Sequence, residues 1–429
     1  MKYISLSNSK LDFSQIMKIK TSKIILPILF TLCLTIILVS RVGAQTAYIT
    51  NYLDNTVTVI NVATNTIYTT ISVGTNPYGV AVSHDGGKVY ITNQSDSTLS
   101  VINTATNIVS ATIKVGSNPY GLSLNQDGSK LYVSNYMDNS ISVINTINNL
   151  VSATIKVGLN PFGIFVSPDG KMVYVANYGS NTVDVINTTT NSVVSTITIG
   201  SSPVGISGSP DGSIIYVTSR NDNTVKIIST STNTISSSIS VGKVPSGICI
   251  NKDGSKVYVA NSGNNSVSII NTANNNVSSI NVDNGPFGIS LSPDGSRLYT
   301  ANGYGRTGNI VSVIDLDKNI ILAPISVGSS PMAFGNFIST YKSPIANILS
   351  KFNESKNYIL YPNPTTGPFS LLVPNSCTEI YITDILGREI LRPQVSYKTM
   401  NLELYENGIY FVHVIAKNRT FTRKLTVSK

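Results

Sequence analysis

Seven tyrosines, Tyr48, Tyr90, Tyr132, Tyr174, Tyr216, Tyr258 and Tyr299, recur at intervals of 42 residues, the last interval being 41. Each opens a tetrad of the Tyr-Val-Thr-Asn type. A period in this range means that one supersecondary unit is repeated, and that each unit buries its faces against its neighbours.

The unit that opens at Pro119 shows what is repeated. Four short apolar runs, Gly121–Leu124, Leu131–Asn135, Ile141–Ile144 and Val151–Val157, are separated by turn residues such as Asp127-Gly128 and Asn145–Asn148. Runs of four to seven residues rich in Val, Ile, Thr and Tyr and bounded by Gly, Asp and Asn are strands. No apolar period of 3.6 residues competes with this reading. Four strands in every 42 residues predict an all-β, seven-bladed β-propeller. The first run of each unit is small, as an inner strand at the axis requires. The second and third runs are apolar enough to be covered on both faces, and the fourth alternates like an exposed outer edge.

The phase of the repeat predicts how the ring closes. The chain after residue 44 enters at a second-type strand, and six full units open at Pro77, Pro119, Pro161, Pro203, Pro245 and Pro286. A lone first-type strand follows at Pro331–Phe334. Three strands from the start and one from the end complete a seventh blade, which leaves no open edge.

Tyr90-Ile-Thr-Asn93, Tyr132-Val-Ser-Asn135 and Tyr258-Val-Ala-Asn261, with their Pro-x-Gly and Asp-Gly companions, resemble the YVTN-repeat β-propellers over about residues 45–342. Copy five departs, with Ser219 in place of Asn, and copy seven carries an insertion in its second loop. The resemblance implies a place among microbial cell-surface and surface-layer proteins.

Residues 1–44 read as a secretory signal peptide: Lys18, Lys20 and Lys23 precede the apolar run Ile24–Val39, and Val42-Gly-Ala44 offers a cleavage site. Met17 is a more ordinary start for such a signal. The run is short for a membrane span, so no integral span is expected after cleavage; an uncleaved anchor is the alternative. A polar linker, residues 343–357, leads to a second domain, residues 358–429, read as a small β-sandwich. Its Tyr361-Pro362-Asn363-Pro364 opening, Gly367, the Asp384-x-x-Gly387 turn and the Gly408-Ile-Tyr-Phe strand resemble the C-terminal sorting domain of the type IX secretion system of Bacteroidetes. That resemblance implies the type IX machinery as a partner, and a product secreted or attached to the outer-membrane surface.

The net charge of +9 would tempt a nucleic-acid reading. Residues 45–342 hold fourteen basic and fourteen acidic side chains, however, so the excess lies outside the propeller and no nucleic-acid partner is expected. Two cysteines outside the leader, Cys249 and Cys377, fall in different domains and make no disulfide framework.

Catalytic equipment is sparse. His84 is the propeller's one histidine, and the propeller has no Glu. No metal site and no cofactor is expected, and a Ser-His-Asp triad finds no partner for His84. Gly303-Tyr-Gly-Arg-Thr-Gly308 spells a dinucleotide-binding pattern, but a strand follows it where a helix N-terminus is needed. Asp315-Leu-Asp-Lys-Asn319 begins like a calcium loop, but lacks the following Gly and the distal Glu, and reads as a turn. The recurrent Asp-Gly pairs read as hairpin turns.

One constellation remains. Fourth-to-first connections and second-to-third loops share one face of a propeller. The first set brings Tyr78, Tyr120, Phe162, Val204, Ser246 and Phe287 inside Pro-x-Gly, and its aromatics read as filling gaps between blades. The second set brings Tyr52, Tyr136, Tyr178, Arg220, Tyr304 and Arg306, and varies between copies while the scaffold does not. It reads as a ligand-binding face for an unknown surface protein or glycan. The expected function is adhesion or binding without catalysis. The alternatives are a lactonase-like or redox propeller enzyme and a surface-layer structural protein.

Overall fold

The computed structural model describes residues 45–306, 308–339, 359–361, 369–373, 377–394, 399–404, 406–416 and 419–427. The signal peptide 1–44, the linker 343–357, and Pro362–Pro364 and Gly367 of the sorting motif lie outside the described residues. The chain divides into two compact units between Tyr341 and Lys342.

Among its described residues the first unit is built of seven antiparallel sheets. Blade three shows the plan: Pro119–Leu124 innermost, then Lys130–Asn135, Ser140–Asn145 and Leu150–Lys156. The burial patterns follow the sequence expectation. Second strands are buried nearly throughout, while Leu150–Lys156 alternates and keeps only Ile155 fully in the core. Each Asp-Gly turn has its glycine at positive φ, as at Gly128 (φ 71°). The aspartate caps the turn, so that Asp127 accepts the Ser129 N–H at 2.8 Å.

The ring closes as the phase predicted. Blade one holds Thr46–Asn51, Thr56–Asn61 and Thr66–Ser72. The segment from Pro331 to Ser339 runs antiparallel beside Thr46–Asn51: the Tyr48 N–H donates to the Phe337 carbonyl (2.9 Å) and the Met332 N–H to that of Thr50 (3.0 Å). Blade-seven side chains Tyr299, Val311 and Val313 share one core with Tyr48, Val57 and Val59 of blade one. In blade seven the outer strand is split into Ile320–Ile321 and Ile325–Ser326, because Pro324 has no N–H to continue the ladder.

The Thr of the tetrad joins blades. In blades two to six the inner strand bulges between Pro and the residue after Gly, as between Pro77 and Val80. The bulge turns the x-Gly peptide groups toward the neighbours. The Thr92 hydroxyl accepts the Gly79 N–H (2.7 Å) of its own blade and donates to the Tyr120 carbonyl (2.9 Å) of the next. Ser134 does the same for Gly121 and Phe162, and Thr218 for Gly205 and Ser246. Where the tetrad carries Ala260 instead, the Gly247 N–H donates directly to the Phe287 carbonyl at 3.0 Å.

The Asn of the tetrad ties its own blade together. The Asn51 amide donates to Thr56 Oγ1 (2.9 Å) and Thr58 Oγ1 (2.8 Å), and Asn93, Asn135 and Asn261 repeat the pair on their third strands. Copy five has exchanged both sides of this contact. Ser219 donates to Asp222 (2.7 Å), and Lys226 stands where the third strand elsewhere carries Thr58, Ser100 or Ser142.

The second unit pairs two sheets. One contains Ile359–Tyr361, Phe369–Leu372 and Thr399–Leu402. The other runs Glu389–Leu391, Cys377–Asp384, Gly408–Ala416, Arg419–Val427. Phe369 and Leu371 of the first meet Ile380, Ile382, Val412 and Leu425 of the second in one core, which makes the unit a sandwich. Gly387 (φ 78°) completes a turn in which Asp384 accepts the Leu386 and Arg388 N–H groups at 2.9 Å each. Gly408 opens the strand that crosses the sandwich.

Candidate functional site at the loop face of the propeller

The Pro-x-Gly side chains converge on one another. Tyr52, Tyr78, Phe162, Val204, Phe287, Met332 and Phe334 form a buried cluster, with Tyr120, Tyr136 and Tyr178 packed against it half-buried. Tyr78 meets Tyr120 edge-on with ring centroids 4.6 Å apart, Phe162 at 5.9 Å and Phe287 at 5.6 Å. Phe162 meets Phe334 at 5.1 Å. Residues of blades two, three, four and seven and of the closing segment therefore touch, and the channel is plugged at this end by aromatic rings. Each such pair contributes roughly 0.5–1.5 kcal/mol beyond its area.

The plug is dry. Burial pushes the Tyr78 phenol well above its usual range, the neighbouring Tyr120 adds to the shift, and the nearby Arg220 charge opposes it. Below the plug, the axis is lined by the inner-strand glycines and Ile164, Ile206, Ile248 and Ile289. No titratable side chain is among its lining residues.

The second set of loop side chains does not form one uniform ring. Tyr52, expected on the binding face, is buried inside the plug at 6% exposure, and its hydroxyl donates to Gln94 Oε1 at 2.6 Å. Its ring meets Tyr78 edge-on at 6.2 Å, and its backbone N–H donates to the Ser330 carbonyl as the equivalent N–H does in the other blades. Tyr136 and Tyr178 are half-buried and 6.4 Å apart, and Tyr136 lies 5.0 Å from Tyr120. Tyr304 is exposed and stacks on Phe287 at 6.1 Å, its ring 8° from parallel. The Arg220 guanidinium lies 4.6 Å over the Tyr304 ring. Arg306 ends the short 3-10 turn Tyr304–Arg306, and its side chain is outside the described residues.

Gln94 was not expected from the sequence. It stands in the same column as Tyr52 and Tyr136, and its amide joins the Tyr52 and Tyr120 hydroxyls. Its signal was visible only as the one amide in a column that is otherwise aromatic or basic apart from Ser262. Ser262 occupies that column in blade six, bonded to Ser246 Oγ (2.8 Å) and to the Pro286 carbonyl (2.7 Å).

The acidic side chains of this face have structural partners. Asp54, Asp96, Asp138 and Asp222 accept the N–H groups of Ser329, Thr75, Ser117 and Ser201, pinning each interblade connection to the next loop. Hydrogen bonds from Ser219 and Ser201 hold the Asp222 carboxyl below its usual range. His84 sits apart, exposed on an Asp-Gly turn with its Nε2 3.1 Å from the Asn125 carbonyl. Gly303–Gly308 is followed by the strand Ile310–Asp315. In the Asp315 turn the carboxylate takes the Lys318 N–H at 3.0 Å. Among the described residues no three His, Cys, Asp or Glu side chains are grouped as a metal would require.

Comparison with known proteins agrees with this architecture. Residues 62–326 match the family described as the Virginiamycin B lyase family, and residues 359–428 match the secretion system C-terminal sorting domain. Among solved structures, hydrazine synthase of Kuenenia stuttgartiensis is 24% identical with a TM-score of 0.55, covering 60% of this chain and 88% of that one. A protein of unknown function from Desulfotomaculum acetoxidans is 18% identical with a TM-score of 0.58, covering 68% and 100%. A putative 6-phosphogluconolactonase from Bacteroides uniformis is 17% identical with a TM-score of 0.58, covering 68% and 99%. These likenesses show the fold. No curated protein matches the chain. The sorting domain marks a protein that is secreted and delivered to the cell surface or outer membrane. The chain belongs to the Virginiamycin B lyase family of β-propellers and carries a C-terminal sorting domain.

Proposed function

We propose that this is a non-enzymatic, surface-delivered propeller that binds a protein or glycan partner on its plugged loop face. The observation that carries the reading is the half-exposed group of Tyr136, Tyr178, Tyr304 and Arg220, seated on a rigid buried aromatic plug. Rigid aromatic and Arg side chains on a fixed scaffold lose little entropy on binding, which is why they dominate recognition surfaces. The titratable groups of the same face support a binding role: its carboxylates are engaged by backbone N–H groups.

The test is to replace Tyr136, Tyr178, Arg220 and Arg306 together by Ala and measure binding of the purified chain to envelope polysaccharide and to extracellular matrix protein. Lost binding with an unchanged melting temperature supports the reading; unchanged binding rejects this face.

The family name supports a second reading, a lyase. It is checked by incubating the pure chain with virginiamycin B and looking for a converted product by mass spectrometry.

A further inference from the structure

We propose that the Arg220–Tyr304 pair is an acid-recognising subsite, which takes the carboxylate of a uronic-acid unit in an anionic polysaccharide. The inference rests on the reading of the loop face as a binding surface.

The geometry is a three-layer stack. Phe287 is buried, Tyr304 lies parallel on it at 6.1 Å, and the Arg220 guanidinium covers Tyr304 at 4.6 Å. The stack reaches from blade five to blade seven because blade six contributes only two small side chains here, Ser246 and Ser262, both buried. Large aromatics at these two positions, as in blade three, would occupy the space that Arg220 crosses.

The Arg220 guanidinium lies over the Tyr304 ring, a contact that uses its charge and leaves its N–H donors available. Among the described residues the Arg220 side chain has no hydrogen bond and no carboxylate within ion-pairing distance. Asp222, two residues away, is engaged with Ser219 and Ser201. A planar fork of N–H donors, held over an aromatic ring beside a low-dielectric plug, matches a planar carboxylate bidentately. The adjoining half-exposed rings of Tyr136 and Tyr178 offer apolar platforms for the C–H faces of neighbouring sugars. A cation flanked by aromatic platforms therefore fits a polymer that alternates carboxylate with ring faces.

The test uses the full chain and three polymers: polygalacturonate, the same polymer methyl-esterified, and dextran sulfate. Affinity is measured by calorimetry for wild type, Arg220→Met and Arg220→Lys. Met keeps the stem and removes the fork, and melting temperatures check that each variant is folded. The expected result is preferential binding of polygalacturonate, weakened about ten- to hundred-fold by Arg220→Met and partly restored by Arg220→Lys. Binding of the esterified polymer should be weak and indifferent to both substitutions. Equal binding of both galacturonans, unaffected at residue 220, overturns the acid subsite but leaves the binding face standing. Preference for dextran sulfate over polygalacturonate overturns the carboxylate assignment. If no polymer binds, this inference falls, and the quadruple Ala variant then decides separately whether the face binds a protein.

Discussion

The Ser134 hydroxyl donates to the carbonyl of Phe162 at 2.6 Å, and this bond crosses the seam between blades three and four. The same oxygen accepts the Gly121 N–H at 2.9 Å. One buried hydroxyl therefore satisfies two backbone groups that the inner-strand bulges have removed from their ladders. Ser134→Ala leaves both without that partner. A loss of about 1–3 kcal/mol is expected, since unpaired buried polar groups carry their full desolvation penalty. Urea unfolding should show a lower midpoint with an unchanged slope. A fall below about 0.5 kcal/mol would mean that the Gly121 N–H rebonds directly to the next carbonyl, as Gly247 does.

Two glycines of one blade should respond very differently to alanine. A Cβ on Gly121 would stand 2.3 Å from the Phe162 carbonyl oxygen, which is backbone and cannot move without opening the seam. A Cβ on Gly128 meets nothing within 4 Å, so only its positive φ of 71° opposes the change. Gly128→Ala is expected to destabilise by roughly 1 kcal/mol. Gly121→Ala should exceed about 3 kcal/mol or prevent folding. Comparable melting temperatures for the two variants would contradict the close approach.

These contrasts show what could be read in the sequence and what could not. Strand order and Asp-Gly turns were legible because each depends on residues within one period, and ring closure because the repeat starts and stops out of phase. The seam hydroxyl was not, because Thr92 and its acceptor Tyr120 are 28 residues apart in adjacent repeats and nothing local marks their meeting. The loop face was legible in composition but not in arrangement. Tyr52 shares a column with Tyr136, yet it is buried in the plug, its ring against Tyr78 and its hydroxyl on Gln94, where the neighbouring blade carries an amide in place of a ring. The Arg220–Tyr304 stack depends on an insertion in copy seven and on small residues in copy six, a coincidence visible only after the ring is assembled.

The tetrad tyrosines make the propeller sensitive to alkali. Burial raises Tyr90 and Tyr258 to about 12 and also raises Tyr132, Tyr174, Tyr216 and Tyr299, and it raises Tyr78 in the plug well above its usual range. The folded state therefore retains phenolic protons that the unfolded chain releases near pH 10. Stability from these groups is fully present below about pH 10 and is lost as pH rises toward the folded-state values. Melting temperature should be flat from pH 7 to about 9.5 and fall steeply above about 10. Phenolate absorbance of these buried rings should appear together with loss of circular dichroism. Early phenolate formation with the fold intact would contradict the burial of this ring of phenols.

The two units have separate cores, and this sets what removal of the second one does. Phe369, Leu371, Ile380, Ile382, Val412 and Leu425 pack among themselves, and the blade-one core draws its partners from blade two, blade seven and the closing segment. Among the described residues the last closing contact, the Ser339 N–H on the Thr46 carbonyl, precedes the boundary at Tyr341. A chain ended after Tyr341 should therefore keep its closed ring, and its melting temperature should match that of the full chain within about 2 °C. Expressed in a bacterium with a type IX system, it should remain in the periplasm, because the sorting domain that directs surface delivery is gone. Fractionation and protease shaving of whole cells read this directly. Surface exposure of the truncated chain would mean that the propeller itself carries a delivery signal. A large fall in melting temperature would mean that the ring draws stability from residues beyond Tyr341.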